Sequence, residues 1–359
     1  QAAKETPMTG AVDPLRSPAF RVGFWKELGE SLLGAPRELD CAQIEVSSAC
    51  PGRCLYCPHT TDRERWKSRH MQAETFARLW PLLRQSRRAH LQGWGEPLLN
   101  PRFFDFAAFA RRAGCAVSTT TCGLRMDEDI AGNLVNSGID VIAFSLAGTD
   151  ESSNAPRAGV DFARVLEAIR TLQRVRRAKN GVHLEIHLAY LMLADGVDAV
   201  RNLPRLMDEL DIHAAVISTM DYIPAPGMEA LAFAPPLTPE AAAKIESARA
   251  VLEEARRRAA ARGRDFHFAL PGIAPAPQCR ENTRRTVYID AEGDVSPCVY
   301  LNVPNGGSGP KHRVFGNVRE RDALDIWHDP AFADYRARIL TECPPAGCAG
   351  CAKRFEQAG

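Results

Sequence analysis

CPGRCLYC, residues 50–57, places three thiols within eight residues, on a stretch holding Pro51 and Gly52 that follows directly on the short apolar run 44–47. Such a loop wraps readily around an ion. Three cysteines satisfy three irons of a four-iron cube and leave the fourth iron open to another ligand. Two other readings compete: a zinc loop, which wants two-plus-two spacing and a fourth ligand nearby, or three buried cysteines packing as small hydrophobes. The chain has eleven cysteines, an odd and unevenly placed set, and export is not expected. Metal or redox chemistry explains them better than a disulfide framework does.

Outward from this loop, residues 41–220 alternate short apolar runs with longer helical patterns, the mark of successive βα units sharing a parallel sheet. Six strands are expected, at 44–47, 90–93, 116–121, 141–146, 183–191 and 215–220. Helical spacing is expected between them at 73–84, 102–113, 128–136, 162–179 and 200–210. Gly114, Gly138 and Gly181 stand where three of these helices should end.

Pro224, Pro226, Pro235, Pro236 and Pro239 break the pattern before an Ala-, Glu- and Arg-rich helix at 240–262. A hairpin is then expected from 286–289 and 295–299 around Ala291, Glu292 and Gly293, and five cysteines fall between 279 and 351. A segment this short takes its order more readily from a metal centre than from a core of its own. The expected fold is therefore α/β: a partial (β/α)6 TIM-like barrel with a small cysteine-rich C-terminal domain that covers the barrel's mouth. Its divisions are an N-terminal extension at 1–39, the barrel at 40–235, a helical linker at 236–270 and the tail at 271–359.

Forty-five basic residues against forty-four acidic ones leave a formal charge of +1. No global field advertises a nucleic acid or an anionic membrane. No apolar run approaches the roughly 20 residues that span a bilayer, and the expected location is cytoplasmic.

The three-then-two spacing of Cys50, Cys54 and Cys57, with Tyr56 just before the last, resembles the signature of the radical S-adenosylmethionine (SAM) superfamily. Gly93-Trp94-Gly95-Glu96-Pro97 resembles its glycine-glycine-glutamate-proline motif with a tryptophan inserted. Glycines there let backbone approach a ligand, and Glu96 would accept from an ammonium. Thr121, before Cys122 and Gly123, resembles the turn after the third strand; Cys122 itself, with Cys41 and Cys115, reads as structural. Ser145 and Arg157 resemble the serine and arginine that contact the ribose and carboxylate of SAM. Tyr56 is expected near the adenine. Ala147, Ser153 and Asn154 depart from the acidic and histidine residues common at these places, so no role is carried over to them. The resemblance implies a [4Fe-4S] cluster whose open iron chelates SAM, and one-electron cleavage to a 5′-deoxyadenosyl radical that abstracts hydrogen from substrate.

Cys279, Gly293 and Cys298, followed by Cys348 and Cys351, resemble the auxiliary-cluster tails called SPASM or twitch. One auxiliary [4Fe-4S] cluster is expected, because the two-cluster version needs cysteines beyond 351. Its ligands are expected to be Cys279, Cys298, Cys348 and Cys351, with Cys343 a possible substitute; a structural zinc in the same thiols is the competing reading. A reduced flavodoxin or ferredoxin would supply the electron. Glu185, His187, Tyr190, Asp221 and Tyr222, near the ends of later strands, are candidates to contact substrate. Relatives with one auxiliary cluster often act on small molecules, and the forty residues ahead of the barrel are few for a leader-peptide-binding domain. The substrate is thus expected to be a small molecule or cofactor precursor. The alternatives are a peptide or protein substrate and, more remotely, a catalytically silent metal-bound scaffold.

Overall fold

The computed structural model describes residues 37–179, 181–233, 238–272, 274–276, 278–303 and 312–356. Strands β1 (Leu39–Ile44), β2 (Ser86–His90), β3 (Ala116–Thr121), β4 (Val141–Leu146), β5 (Glu185–Met192), β6 (Ala214–Thr219) and β7 (Asp265–Phe268) run parallel, each beside the next. Two-residue β8 (Ala274–Pro275) pairs with β12 (Phe355–Glu356) in a separate ribbon. β9 (Thr286–Ile289) lies parallel to β1 on its other side, and β10 (Asp294–Ser296) and β11 (Gly316–Asn317) continue antiparallel. The ten-stranded order β11-β10-β9-β1-β2-β3-β4-β5-β6-β7 leaves β7 and β11 as edges, so the sheet does not close.

β3 and β4 occupy the expected residues. β1 starts five residues before the expected strand, because its inward face is Leu39, Ala42 and Ile44 while Val46 to Ser48 leave the ladder for the cysteine loop. β2 likewise precedes the apolar run at 90–93. Its sequence SRRAH exposes two arginines and buries only Ser86 and Ala89 deeply, which hides it from a hydrophobicity reading.

Helices α1 (Pro58–Thr61), α2 (Ala73–Ala77), α3 (Trp80–Arg84), α4 (Phe103–Arg112), α5 (Glu128–Asn136), α6 (Phe162–Arg177) and α7 (Leu203–Glu209) lie between the barrel strands. The single helix expected at 73–84 is split into α2 and α3, with Pro81 in the first turn of α3, where its missing N–H costs nothing. Gly114, Gly138 and Gly181 all take positive φ after their helices.

The described residues of the segment expected as a helical linker, 238–270, pack onto the barrel. Helix α8 (Pro239–Ala260) turns Ile245, Ala248, Val251, Leu252, Ala255 and Ala259 into the barrel core, and β7 then joins β6 in parallel. α8 completes the sixth βα unit and β7 adds a seventh parallel strand, the apolar face of α8 directing that packing. The tail is equally continuous with the barrel: Val287, Ile289 and Val295 share that core, as do Ile326 and Trp327 of α9 (Ala323–Trp327) and Phe332 of α10 (Pro330–Arg338). Pro235 and Pro236 and the N-terminal extension to residue 36 lie outside the described residues.

Candidate active site and auxiliary metal centre

The three cysteines of the loop after β1 face a cavity of about 220 Å³. Gln92, Thr121, Ser145, Leu191, Thr219 and Met220, from the C-terminal ends of β2 to β6, complete much of its wall, the end of a parallel barrel where ligands gather. The cysteine loop is held by Arg53 N–H on the Ala158 carbonyl (2.7 Å) and Leu55 N–H on that of Pro156 (2.9 Å). A side chain on Gly52 would stand 3.6 and 3.7 Å from the Cys50 and Cys54 sulfurs, so both thiols turn to one side of the loop. Burial pushes Cys50 up to about 11 and Cys57 up to about 12, with neighbouring cysteines adding to the rise. Left alone these thiols stay protonated at neutral pH; a bound metal would draw the protons off.

Gly93 and Gly95 are required by close approach. A Cβ on Gly93 would lie 2.5 Å from the Glu45 side chain, and one on Gly95 2.2 Å from the Ser47 carbonyl oxygen. Glu45 also accepts the Trp94 N–H at 2.8 Å, which turns the indole toward the cavity. Glu96 lines the cavity but is heavily engaged by the protein: its carboxylate accepts from the Thr121 hydroxyl (2.8 Å), Cys122 N–H (2.6 Å) and Leu98 N–H (3.2 Å). Its main visible work is to tie the loop after β2 to that after β3, rather than to wait for an ammonium. Pro97 opens the short turn behind and does not line the cavity.

Arg157 is the charged feature of the wall. It is 7 % exposed, donates one hydrogen bond to the Tyr56 hydroxyl (3.3 Å), and its Nε has no partner. Burial works against its charge, yet Tyr56, Cys54 and Cys122 hold its pKa above the ordinary value. No carboxylate pairs with it among the described residues. A buried unpaired cation is costly, and a ligand carboxylate would offset that cost. The residues present thus fit SAM as well as an iron–sulfur cluster. Asn154 and Ser153 shape the loop before Arg157, accepting the Ala147 N–H (3.0 Å) and Thr149 N–H (3.0 Å).

A second cavity, of about 510 Å³, is lined by Cys279, Cys298, Cys348 and Cys351. Cys343 is exposed and does not line it. Burial pushes Cys279 up to about 12 and Cys298 well above the usual thiol range. The Tyr335 hydroxyl lies 3.4 Å from the Cys348 sulfur. Among the described residues no group of three Cys, His, Asp or Glu side chains is placed to hold a single metal ion. Four thiols from three chain segments around a common space fit an auxiliary cluster.

Asp221, Tyr222 and Tyr300 line both cavities. Asp221 and Tyr222 were expected near substrate; Tyr300 was missed, although it lies two residues beyond Cys298. Trp94, visible in the sequence only as an insertion, completes an aromatic cluster with them: ring centroids are 6.2 Å from Tyr222 and 5.9 Å from Tyr300, and its indole N–H donates to the Val299 carbonyl at 3.2 Å. Cys122, read as structural, also borders the first cavity. Glu185 and His187 do not join the site. They pair with each other (2.9 Å) around the start of β5, in a cleft with the first residues of β6 and β7, at the opposite end of the strands. Tyr190 is buried with its hydroxyl unpartnered and lines neither cavity.

Comparison with known proteins agrees with this geometry. Residues 44–188 match the radical SAM superfamily, and 279–352 match SPASM, an iron–sulfur cluster-binding domain. The chain is 22% identical over 333 residues to the tungsten-containing aldehyde ferredoxin oxidoreductase cofactor-modifying protein of Pyrococcus furiosus, covering 87% of this chain and 86% of that one. It is 25% identical over 279 residues to the PqqA peptide cyclase of Streptomyces rochei, covering 76% and 71%. Its fold resembles Streptococcus suis SuiB bound to S-adenosylmethionine, with TM-score 0.62 and 15% identity over 96% of this chain and 78% of that one. It also resembles anSMEcpe with bound AdoMet, with TM-score 0.61 and 16% identity over 84% of each.

The chain is a radical SAM enzyme. More narrowly, it carries a SPASM domain, and its cofactors are SAM, a SAM-associated [4Fe-4S] cluster and an auxiliary iron–sulfur cluster. The silent-scaffold reading falls. No helix among the described residues is long and apolar enough to cross a membrane.

Proposed function

We propose that this enzyme oxidises a side chain of a peptide substrate held against the wall of Asp221, Tyr222 and Tyr300. The observation that carries the reading is that this one wall borders both cavities. A group placed there touches the radical-forming site on one side and the auxiliary centre on the other. Cys50, Cys54 and Cys57 would hold the first cluster, and Cys279, Cys298, Cys348 and Cys351 the auxiliary one. When bound, the first cluster and SAM supply a 5′-deoxyadenosyl radical that removes one hydrogen atom from substrate, and the auxiliary cluster supplies an acceptor for the electron left behind.

The chain's own residues do the rest. Arg157, steadied by Tyr56, pairs with the carboxylate of SAM, and Gly93 and Gly95, packed tightly against Glu45 and Ser47, hold the loop that borders its amino-acid end. Ser145 stands toward the ribose. Trp94, Tyr222 and Tyr300 give the substrate a largely apolar surface that keeps water from a radical. The PqqA peptide cyclases among the relatives, and SuiB solved with precursor peptide SuiA, support the peptide class. A small cofactor precursor is the second reading, favoured by the cofactor-modifying relative from Pyrococcus furiosus. A flavodoxin or ferredoxin would deliver the starting electron, in the cytoplasm.

The test is anaerobic: the reconstituted enzyme, SAM and dithionite are mixed with size fractions of a uniformly deuterated cell extract, and deuterium is followed into 5′-deoxyadenosine. Label arising from a peptide fraction and abolished by prior protease treatment is expected. Label from a protease-resistant low-mass fraction would move the substrate to the small-molecule class. Deoxyadenosine that does not depend on Cys50, Cys54 and Cys57 would overturn the site assignment.

A further inference from the structure

Each chain segment that brings a candidate auxiliary ligand from the hairpin region or the C-terminus continues, within two residues, into a side chain of one buried polar cluster. Arg280 follows Cys279, Tyr300 follows Cys298 by two residues, and Lys353 follows Cys351 by two. Their common focus is Asp221, just beyond the end of β6, whose side chain is 2% exposed. Its Oδ1 accepts from the Thr219 hydroxyl at 2.9 Å and lies 3.4 Å from Arg280 Nη2, and its Oδ2 is 3.0 Å from Lys353 Nζ. Lys353 Nζ is also 2.9 Å from Glu281 Oε1 and lies 5.6 Å from the centre of the Tyr300 ring. The backbone closes the cluster: Arg280 N–H donates to the Lys353 carbonyl at 2.9 Å, and Arg280 Nη2 to that of Ala352 at 3.2 Å.

Two carboxylates and two cations balance, so the network is neutral while each member is largely withdrawn from water. Buried ion pairs are poor sources of net stability, but removing one partner strands the other, and their well-attested use is to fix register. Here the register is that of three separate segments on one barrel strand. The hydrophobic packing directly under those segments is thin: Leu301, Tyr335 and Ile339 form the small cluster with Cys279 and Cys348. Asp221 and Glu281 also line the space the four thiols enclose, and Lys353 pairs with both of them from behind; a fixed charge there acts on the reduction potential of a cluster.

We propose that Asp221 and Lys353 are positioning residues of the auxiliary centre, registering its ligand segments on the end of β6 and setting the charge the centre feels. This rests on the reading that Cys279, Cys298, Cys348 and Cys351 hold that centre. Tyr300, lying against Lys353 and against Trp94 and Tyr222, is thereby fixed in the wall that substrate meets.

The test compares D221N, K353M and K353R in the reconstituted full chain, with C279A/C298A as the control that removes the centre. Iron and sulfide per chain are measured first, then the auxiliary potential by redox titration read by electron paramagnetic resonance. Loss of a fixed negative charge should raise the potential in D221N, and loss of a positive one should lower it in K353M, with K353R close to wild type. Opposite shifts at wild-type iron support the proposal, because a merely structural defect has no reason to change sign with the charge removed. Iron lost in K353M but kept in K353R also supports it, as registration. Full iron with potentials unmoved, or moved in the same direction, overturns it. If the C279A/C298A control keeps all its iron and its auxiliary signal, the ligand reading has failed and takes the proposal with it.

Discussion

The two cavities share a wall yet are built from opposite materials. The first stands on a parallel sheet whose strands bury Leu39, Ala42, Ile44, Ala89, Val117, Ile142 and Phe144 completely, and its loops are held by glycines with no room for a side chain. The second stands on a separate cluster of five buried residues, two of them cysteines. Burial of apolar surface scales with area, so the first site can be ordered before any cofactor arrives. The second has little such surface, and its order must come from ionic register and from the metal.

The largest effect follows from that contrast. Preparing the protein without iron, or chelating it anaerobically, should open residues 339–356 to limited proteolysis while the barrel and the hairpin of β9 and β10, which share the main core, resist. Mass spectrometry of the fragments reads this directly. Equal resistance of both regions in the apo chain would show that the tail needs no metal to fold.

The next effect sharpens the first site. Arg157→Ala removes a buried cation and should weaken SAM binding by about 3 kcal/mol, roughly a hundredfold in Kd, with iron content unchanged. Equilibrium binding to the reconstituted protein measures it, and unchanged affinity would assign the SAM carboxylate to another partner.

The same contrast governs what could be read from the sequence. β3 and β4 and the Cys50–Cys57 loop were legible because local pattern and local chemistry agree there: apolar alternation, then a turn, then ligands. β7 was not, because its four residues, DFHF, follow a helix that looks self-sufficient, and only α8's burial against the barrel reveals the unit. Nor was the pairing of β9 with β1, which joins residues more than two hundred positions apart. The contact of Trp94 with Val299 has the same character: the insertion was visible, its partner was not. Glu185 and His187 misled for a geometric reason, since sequence marks a strand more surely than it marks which end holds the chemistry. Arg157 was found by motif, but its lack of a carboxylate partner could be seen only in the fold.

A smaller effect tests how tightly the first site is tied to its own core. Burial raises Glu45 from 4.5 to about 7, and neighbouring Asp290 rises from 3.8 to about 6 for the same cause. Each folded-state value exceeds its unfolded one, so the unfolded chain releases these protons first and stability falls as pH rises through about 4 to 7. Tyr288 also faces Glu45 but titrates far higher. Glu45→Gln should therefore make the decline between pH 5 and pH 8 shallower, leaving the share due to Asp290, as read from urea midpoints. A decline as steep as in wild type would place the titrating group elsewhere.

The smallest effect discriminates among the thiols of the second site. Cys343 is exposed, and its carbonyl accepts a hydrogen bond from Arg338 Nη2 at 3.4 Å. Truncating its sulfur leaves that contact in place, so Cys343→Ala should keep the wild-type iron and change stability by no more than about 0.5 kcal/mol. Cys348→Ala differs in kind, because its sulfur lines the cavity and meets the Tyr335 hydroxyl. It should lose about four irons if the cube needs every thiolate, though one remaining ligand position can be filled by another thiol within reach. Comparing the two variants with the double variant therefore isolates the role of Cys343. If Cys348→Ala keeps its iron and the double variant loses it, Cys343 is a substitute ligand recruited only when the tail rearranges; if Cys343→Ala alone loses about four irons, it is a resident ligand and the loaded tail differs from the fold described above.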